Sequence, residues 1–172
     1  MTSSPPTSTV SFLTYENTTY GIKMQYPSNW LEGAGSSTNN RYEVVVAFFS
    51  PLESSSDRYQ ECVQIVIDNS NGLDANLAEY MIEKIDLTRE SYSDFDLLAS
   101  NTINVALAGN PAYILVYKYS DTISGILKVM ETGTMISGQG YYVQYFAESE
   151  KYSSYLPTIQ TMIDSFTLIT NE

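Results

Sequence analysis

The sequence predicts an α+β fold in which helices cover a mainly antiparallel sheet. Strand-like segments follow one another through short connections, such as residues 137–140 (Ser-Gly-Gln-Gly), which have the length and composition of a hairpin turn. Helical periodicity appears in two places, once between strands and once near the C-terminus. A parallel, doubly wound sheet is excluded because it needs a helix between most of its strands.

The strands are predicted from two kinds of apolar pattern. Residues 20–26 alternate between apolar and polar side chains, and Pro27 ends this segment because proline cannot donate to a ladder. Residues 44–49 and 62–67 are continuous apolar runs, which is typical of central strands. The other predicted strands span residues 95–105, 112–119, 126–135 and 141–147.

The two helices are predicted from apolar stripes at helical spacing. The first spans residues 74–88, with Asp74 as its N-cap because a carboxylate accepts the free amide protons of a first turn. The second spans residues 152–165. The stripe of the first helix consists of Leu77, Ala78, Met81, Ile82 and Ile85.

Three segments lack apolar periodicity and are predicted to be linkers or loops. Residues 1–11 are rich in Ser, Thr and Pro and cannot bury enough surface to order themselves. They are predicted to be a flexible linker ahead of one folded domain, residues 12–172. Residues 33–40, rich in Gly, Ser and Asn, and the polar residues 52–60 are predicted to be exposed loops.

The composition favours an extracytoplasmic location. A Ser/Thr/Pro tether often follows a signal peptide or a membrane anchor, so we expect a secreted or membrane-tethered domain whose signal or anchor segment lies outside this sequence. The sequon Asn17-Thr18-Thr19 and the 15 tyrosines fit an exported surface protein. No segment of the sequence approaches the roughly 20 apolar residues needed to span a bilayer.

The chain is strongly acidic. Its 8 Lys and Arg against 20 Asp and Glu give a formal net charge of -12, which repels phosphate backbones and anionic lipid head groups. Nucleic acid is therefore excluded as a partner. Cations, basic protein surfaces and neutral polymers remain as candidate partners.

Part of this charge forms a row on the first predicted helix. Glu79, Glu83, Asp86 and Glu90 are spaced by four, three and four residues, so they share the face opposite the apolar stripe. Two nearby cations offset only part of the repulsion. The row indicates either a docking face for a protein partner or simple solubility.

Catalysis is disfavoured because the sequence has no histidine, the usual base in serine and cysteine nucleophile sites and a ligand in most zinc sites. The single cysteine, Cys62, lies in an apolar run and is predicted to be an inert core thiol. Phosphate-loop and dinucleotide motifs are absent as well. No residue is assigned a catalytic role, and the protein is predicted not to be an enzyme.

Calcium is a candidate ligand because acidic side chains supply the oxygen atoms that it prefers. Residues 68–74 superficially resemble a calcium loop, but placing Gly72 at its sixth position puts Ile67 at the first, where an acidic ligand is required. A turn followed by a helix cap explains this run. Two carboxylate pairs are interpreted as solvated surface pairs: Asp94 with Asp96, and Glu148 with Glu150. Calcium therefore has no assigned ligands.

Tyrosines recur on two predicted strands. Tyr113, Tyr117 and Tyr119 share one face of their strand, and so do Tyr141 and Tyr145 on another. Packing beneath the helices explains most of them. The alternative is an exposed tyrosine strip that binds a glycan or a peptide.

Several short motifs together resemble the PsbP-like family, named for an extrinsic subunit of the photosynthetic oxygen-evolving complex. The family's N-terminal signature is similar to Tyr20-Gly21-Ile22 and Tyr26-Pro27-Ser28-Asn29-Trp30, and later motifs to Gly109-Asn110-Pro111 and Asp164-Ser165-Phe166. The resemblance covers about residues 12–169 and implies an α-β-α sandwich around a central, mainly antiparallel sheet. Trp30 is expected to pack against one of the helices. The motif residues with structural roles are then Tyr20, Gly21, Tyr26, Pro27, Trp30, Gly109, Ser165 and Phe166.

The resemblance also implies a function without catalysis. It points to a module that binds or stabilises a protein assembly at a membrane surface and that requires no cofactor. The founding subunit helps to retain calcium and chloride at a photosystem through contacts that involve basic residues and a histidine, so none of these contacts is carried over to this chain. The alternative is a ligand-binding protein that holds calcium or a small molecule in a cleft beside the sheet.

Overall fold

The computed structural model describes residues 10–37, 41–69 and 76–169. Within these ranges the chain forms two helices, α1 (Leu77–Ser91) and α2 (Tyr152–Asp164). The strands in the same ranges are β1 (Phe12–Asn17), β2 (Ile22–Pro27), β3 (Leu31–Ser37), β4 (Tyr42–Phe49), β5 (Cys62–Asp68), β6 (Asp96–Asn101), β7 (Ala106–Leu107), β8 (Asn110–Asp121), β9 (Gly125–Ile136), β10 (Gln139–Glu148) and β11 (Thr167–Leu168).

In the described part of the chain the strands form two sheets. Neighbouring strands within each sheet pair in antiparallel orientation. The larger sheet has the order β3-β4-β5-β10-β9-β8-β6, with β7 paired to the start of β8. The smaller sheet has the order β1-β2-β11. The predicted α+β fold with an antiparallel sheet is therefore confirmed.

The helices lie on opposite faces of the larger sheet, because alternate residues of β8 belong to two separate cores. Tyr113 and Tyr117 pack in one cluster with Tyr80 of α1, whereas Ala112 packs in the other cluster with Ile159 of α2. This arrangement is the α-β-α sandwich that the family resemblance implies.

The α2 side contains the larger core. Ile159 and Met162 are fully buried there, and Trp30 meets the Tyr155 ring of α2 edge-on at 6.0 Å between ring centroids. The predicted packing of Trp30 against a helix is confirmed. Cys62 is a buried free thiol, as predicted.

The connection between β9 and β10 is the predicted hairpin. Ser137 and Gly138 have φ angles of 51° and 77°, and Ile136 pairs with Gln139. Two central residues with positive φ define a type I′ turn, whose twist matches that of the flanking strands.

Two local predictions are wrong. Residues 33–37, predicted to belong to a loop, are part of edge strand β3, which pairs with β4. Their small residues suit this position because a Cβ at Gly35 would collide with the carbonyl oxygens of Val44 and Val45. The N-cap of α1 is Asn76, whose side chain accepts from the backbone amides of Ala78 and Glu79.

The buried face of α1 also differs from the predicted stripe. Ile85 is buried and Leu77 and Met81 are half-buried, but Ala78 and Ile82 are exposed. The additional buried residues are Tyr80 and Lys84. The helix is rotated in this way because these two polar side chains find partners on the sheet.

Some predictions lie outside the described residues. They include most of the linker at residues 1–11, the loop end at residues 38–40, Asp74 and most of the turn at residues 68–72. Among the helices of the described residues, neither is long and apolar enough to cross a membrane.

Candidate binding groove beside helix α1

An open groove of about 400 Å³ lies beside α1, on the sheet face that this helix partly covers. The helix is fixed over β8, where the Tyr80 and Tyr113 rings meet edge-on at 5.8 Å between centroids. The groove runs between the C-terminal half of the helix and strands β4, β5 and β10, which contribute Val44, Val66 and Phe146 to its lining.

The helical wall of the groove is formed by Leu87, Thr88 and Ser91, which share one face of α1. The Thr88 hydroxyl donates to the Lys84 carbonyl at 2.7 Å, and the Ser91 hydroxyl donates to the Leu87 carbonyl at 2.8 Å. Each hydroxyl therefore keeps its capacity to accept a hydrogen bond.

The floor of the groove contains a row of polar side chains on adjacent strands. Gln144 of β10 is in register with both Gln64 of β5 and Glu131 of β9. The Gln64 amide donates to the Gln144 carbonyl oxygen at 2.6 Å, and the Gln144 amide donates to Glu131 at 2.6 Å. Glu131 also accepts a hydrogen bond from the Tyr113 hydroxyl.

Lys84 supplies the cation that balances Glu131. Its ammonium lies 3.7 Å from the Glu131 carboxylate and 3.9 Å from the centre of the Tyr142 ring. Lys84 is 6% exposed and Glu131 is 1% exposed, so both charges are removed from water. Two buried charges are tolerated when they pair and when hydrogen bonds satisfy them, which is the case here.

The N-terminal side of α1 is connected to the sheet through Asp68. The Tyr80 hydroxyl donates to Asp68 at 2.9 Å, and Arg41 donates two hydrogen bonds to the same carboxylate at 3.0 and 3.1 Å. Arg41 also donates to Glu83 of α1 at 2.8 Å. These bonds fix the separation between the helix and β4.

The hydroxyls of Tyr117 and Tyr142, two residues of the groove lining, stay protonated. Burial raises the pKa of Tyr142 and of Tyr117 well above the ordinary tyrosine value, and the neighbouring Glu131 carboxylate raises both further. The groove therefore offers neutral hydroxyls, amides and ring faces, which are groups that bind ligands through hydrogen bonds and packing.

The predicted acidic row lies on one flank of α1, but two of its charges have partners. Glu83 pairs with Arg41, and Asp86 pairs with Arg89 at 2.6 Å. Glu79 closes the N-terminal capping box by accepting from the Asn76 amide. The expectation of an uncompensated row is therefore wrong for Glu83 and Asp86. Glu90 is exposed.

A second charged cluster surrounds Lys151, at the start of α2, and is not evident from sequence spacing. The Lys151 ammonium lies 2.9 Å from Asp57, 3.0 Å from Glu148, 3.5 Å from Glu53 and 3.9 Å from Glu61. The lysine thereby anchors the long loop between β4 and β5 to the second helix.

The described residues do not present a metal site. They contain no group of three or more Cys, Asp or Glu side chains that can hold a metal ion. Around Lys151 the ammonium already fills the centre of the carboxylates. In the first predicted surface pair, Asp94 accepts from the Ser120 amide and Asp96 pairs with Lys118 at 3.1 Å. In the second, Glu148 pairs with Lys151 and Glu150 is exposed.

The tyrosine strip is not exposed. Tyr113, Tyr117 and Tyr119 share the α1 face of β8 as predicted, but all three are buried. Tyr145 is fully buried on the other face, where it stacks on Tyr152 of α2. An exposed glycan- or peptide-binding strip on these four residues is therefore wrong. Tyr141, the fifth residue of the predicted strip, is half-buried.

The motif residues from the sequence lie on the α2 side, away from the groove. Tyr26 stacks on Phe48 at 4.5 Å, and the Ser165 hydroxyl accepts from the Gln25 amide at 2.8 Å. Gly21 has a φ of 63°, and a Cβ there would lie 2.7 Å from the Ile169 carbonyl oxygen. The remaining positions are Tyr20, bonded to Glu43, Pro27 at the end of β2, Trp30 against Tyr155, Gly109 in the turn before β8, and the buried Phe166.

Comparison with known proteins gives a family and a fold. The family model described as PsbP-like protein matches residues 3–168. No curated protein matches the chain significantly in sequence.

Three solved structures of similar fold illustrate its range. Cyanobacterial PsbP (CyanoP) from Synechocystis superposes with a TM-score of 0.66 at 15% identity, covering 98% of both chains. LpqN of Mycobacterium tuberculosis, described as involved in cell envelope biogenesis, has a TM-score of 0.60 at 13% identity over 94% of this chain and 92% of its own. The Ran-binding protein Mog1p of Saccharomyces cerevisiae has a TM-score of 0.57 at 11% identity over 94% and 97%.

Proposed function

Because this chain belongs to the PsbP-like protein family, we propose that it is a non-catalytic binding module that docks on a protein partner at the extracytoplasmic surface of a membrane. The docking surface is the acidic flank of α1, defined by Glu79, Glu83, Asp86 and Glu90. The partner then presents a basic surface, since the chain carries a net charge of -12.

The observation that carries this proposal is the position of Glu90 beside an open groove. Glu90 is exposed near the end of α1, and Leu87 and Ser91 of the same turn line the groove. Charges at the rim of an interface steer association, so the exposed Glu90 attracts a basic partner to this end of α1. Because Glu83 and Asp86 are already paired with arginines, Glu90 should attract a basic partner more strongly than either of them.

One similar structure supports a role in binding, and another supports a role at the cell envelope. Mog1p is described as a Ran-binding protein, and LpqN as involved in cell envelope biogenesis. The extracytoplasmic location rests on the Ser/Thr/Pro composition of residues 1–11 and on the acidic, tyrosine-rich composition of the chain.

Calcium is the alternative ligand, and the described residues contain no cluster of three or more acidic side chains that can hold it. Calcium takes oxygen ligands at about 2.3–2.6 Å. The four carboxylates around Lys151 instead lie 2.9 to 3.9 Å from its ammonium. The lysine therefore plays the part of the cation in this cluster.

Site-specific photocrosslinking tests the docking surface. A benzophenone side chain placed at Glu90 should crosslink to a protein from native membranes, whereas the same side chain at the exposed Glu150, outside the helix, should not. Equal adducts from both positions, or an adduct from Glu150 alone, would show that α1 is not the docking surface.

A further inference from the structure

We propose that the groove beside α1 binds a neutral polyhydroxylated ring, the chemistry of a saccharide. This inference concerns a small ligand and does not rest on the protein docking proposed above. The volume of about 400 Å³ lies within the range of about 300–1,000 Å³ that small-molecule sites occupy.

The floor and the helical wall supply both donors and acceptors. Gln64 and Gln144 each use one amide proton in the polar row and keep a second. Within the described part of the chain, the Gln64 carbonyl oxygen accepts no hydrogen bond, and Gln64 is half-buried at the groove. Thr88 and Ser91 keep acceptor capacity. A ligand hydroxyl, which both donates and accepts, matches this set.

The groove also supplies ring faces. Phe146 and Tyr92 are half-buried residues of its lining, and Tyr92 stacks on Tyr119 at 3.9 Å between centroids. This stacking fixes the Tyr92 ring. The C–H face of a pyranose packs on such rings while its equatorial hydroxyls reach the polar floor.

The charges favour a neutral ligand. Among the described residues that line the groove, Lys84 alone carries a charge, and the Glu131 carboxylate balances it. The net charge of -12 disfavours an anionic ligand. A cationic ligand finds the floor carboxylate already paired with Lys84 and bonded to Gln144.

The test is a titration of the 15N-labelled protein that follows the side-chain amide signals of Gln64 and Gln144. The probes are the methyl glycosides of glucose, galactose and mannose, N-acetylglucosamine and cellobiose. At least one of these sugars should shift both amide signals, and the shifts should saturate below about 100 mM. This concentration is a hundredfold above a Kd of about 1 mM. Glucuronate, glucosamine and adenosine, which test anionic, cationic and nucleoside ligands, should bind roughly tenfold more weakly or not at all.

Two variants localise the site. Ser91→Trp fills the groove from an exposed helix position and should abolish the shifts, and Gln64→Leu should weaken binding by about two- to tenfold through loss of its hydrogen bonds. Thr122→Trp, exposed and outside the groove, and Glu90→Lys should both bind like the wild type. The proposal is overturned if no neutral sugar shifts these amides, if adenosine or a charged sugar binds more tightly, or if Ser91→Trp binds as the wild type does.

Discussion

The Lys84 ammonium and the Glu131 carboxylate lie 3.7 Å apart between α1 and the centre of the sheet. Tyr113 and Gln144 donate to the same carboxylate, and the Tyr142 ring lies against the ammonium. The pair therefore connects the helix to three strands and determines which face of α1 is buried.

Removal of this cation should destabilise the fold strongly. We expect Lys84→Met to lower the free energy of unfolding by about 3–5 kcal/mol, because a buried carboxylate loses its counter-ion. The double variant Lys84→Met with Glu131→Gln should lose less than Lys84→Met alone, since it removes both charges. Urea denaturation measures both.

The matched control is Lys23→Met, which breaks the exposed pair between Lys23 and Glu16 at 3.6 Å. Its cost should stay below about 1 kcal/mol. Equal losses for Lys84→Met and Lys23→Met would show that the buried pair has no special role.

Trp30 provides a test of the core on the other face. It is 6% exposed and packs against Tyr155, so Trp30→Ala should cost about 3–5 kcal/mol of unfolding free energy. Trp30→Phe, which keeps an aromatic ring, should cost less. A loss below about 1 kcal/mol for the alanine variant would place Trp30 outside the core.

Asp57 should make stability depend on pH. Its hydrogen bond with Lys151, followed by the bond from the Glu53 amide, lowers the pKa of the Asp57 carboxyl in the folded protein. The stabilisation is therefore present above the unfolded value of about pH 4 and is lost as the pH falls through the folded pKa. The urea midpoint of Asp57→Asn should lie below that of the wild type at pH 7 and approach it in acid. A difference that does not shrink as the pH falls would contradict this, and Asp86→Asn serves as an exposed control.

The strands and helices with strong periodicity were predictable from sequence. The alternation in β2, the apolar runs of β4 and β5 and the stripe of α2 each reflect burial that the local pattern already contains. Strand β3 was missed because its composition is that of a turn, and it becomes a strand only because the edge of β4 is available for pairing.

The groove was not predictable, because it depends on how far α1 extends across the sheet. The burial of Lys84 could not be predicted because charged residues usually lie at the surface, and its partner on β9 is distant in sequence. One signal was available. Gln64 and Gln144 each interrupt an apolar run and Glu131 follows one, and polar residues at such positions need partners across the sheet.

Calcium and sodium should have the same effect on thermal stability. At equal ionic strength both screen the net charge of -12, and the described residues offer calcium no further site. Differential scanning fluorimetry at millimolar calcium measures this. A larger rise in Tm with calcium than with matched sodium would demonstrate specific binding and would restore calcium as a ligand.

The most direct measurement of the proposed function is the association rate of the native membrane partner with charge-reversed variants. Glu90→Lys should slow association severalfold at low salt, and the effect should shrink as salt rises, because rim charges act mainly on encounter. Glu150→Lys, which changes the net charge equally but lies outside α1, should associate like the wild type. Equal association rates for the wild type and Glu90→Lys at low salt would contradict docking on the acidic flank of α1.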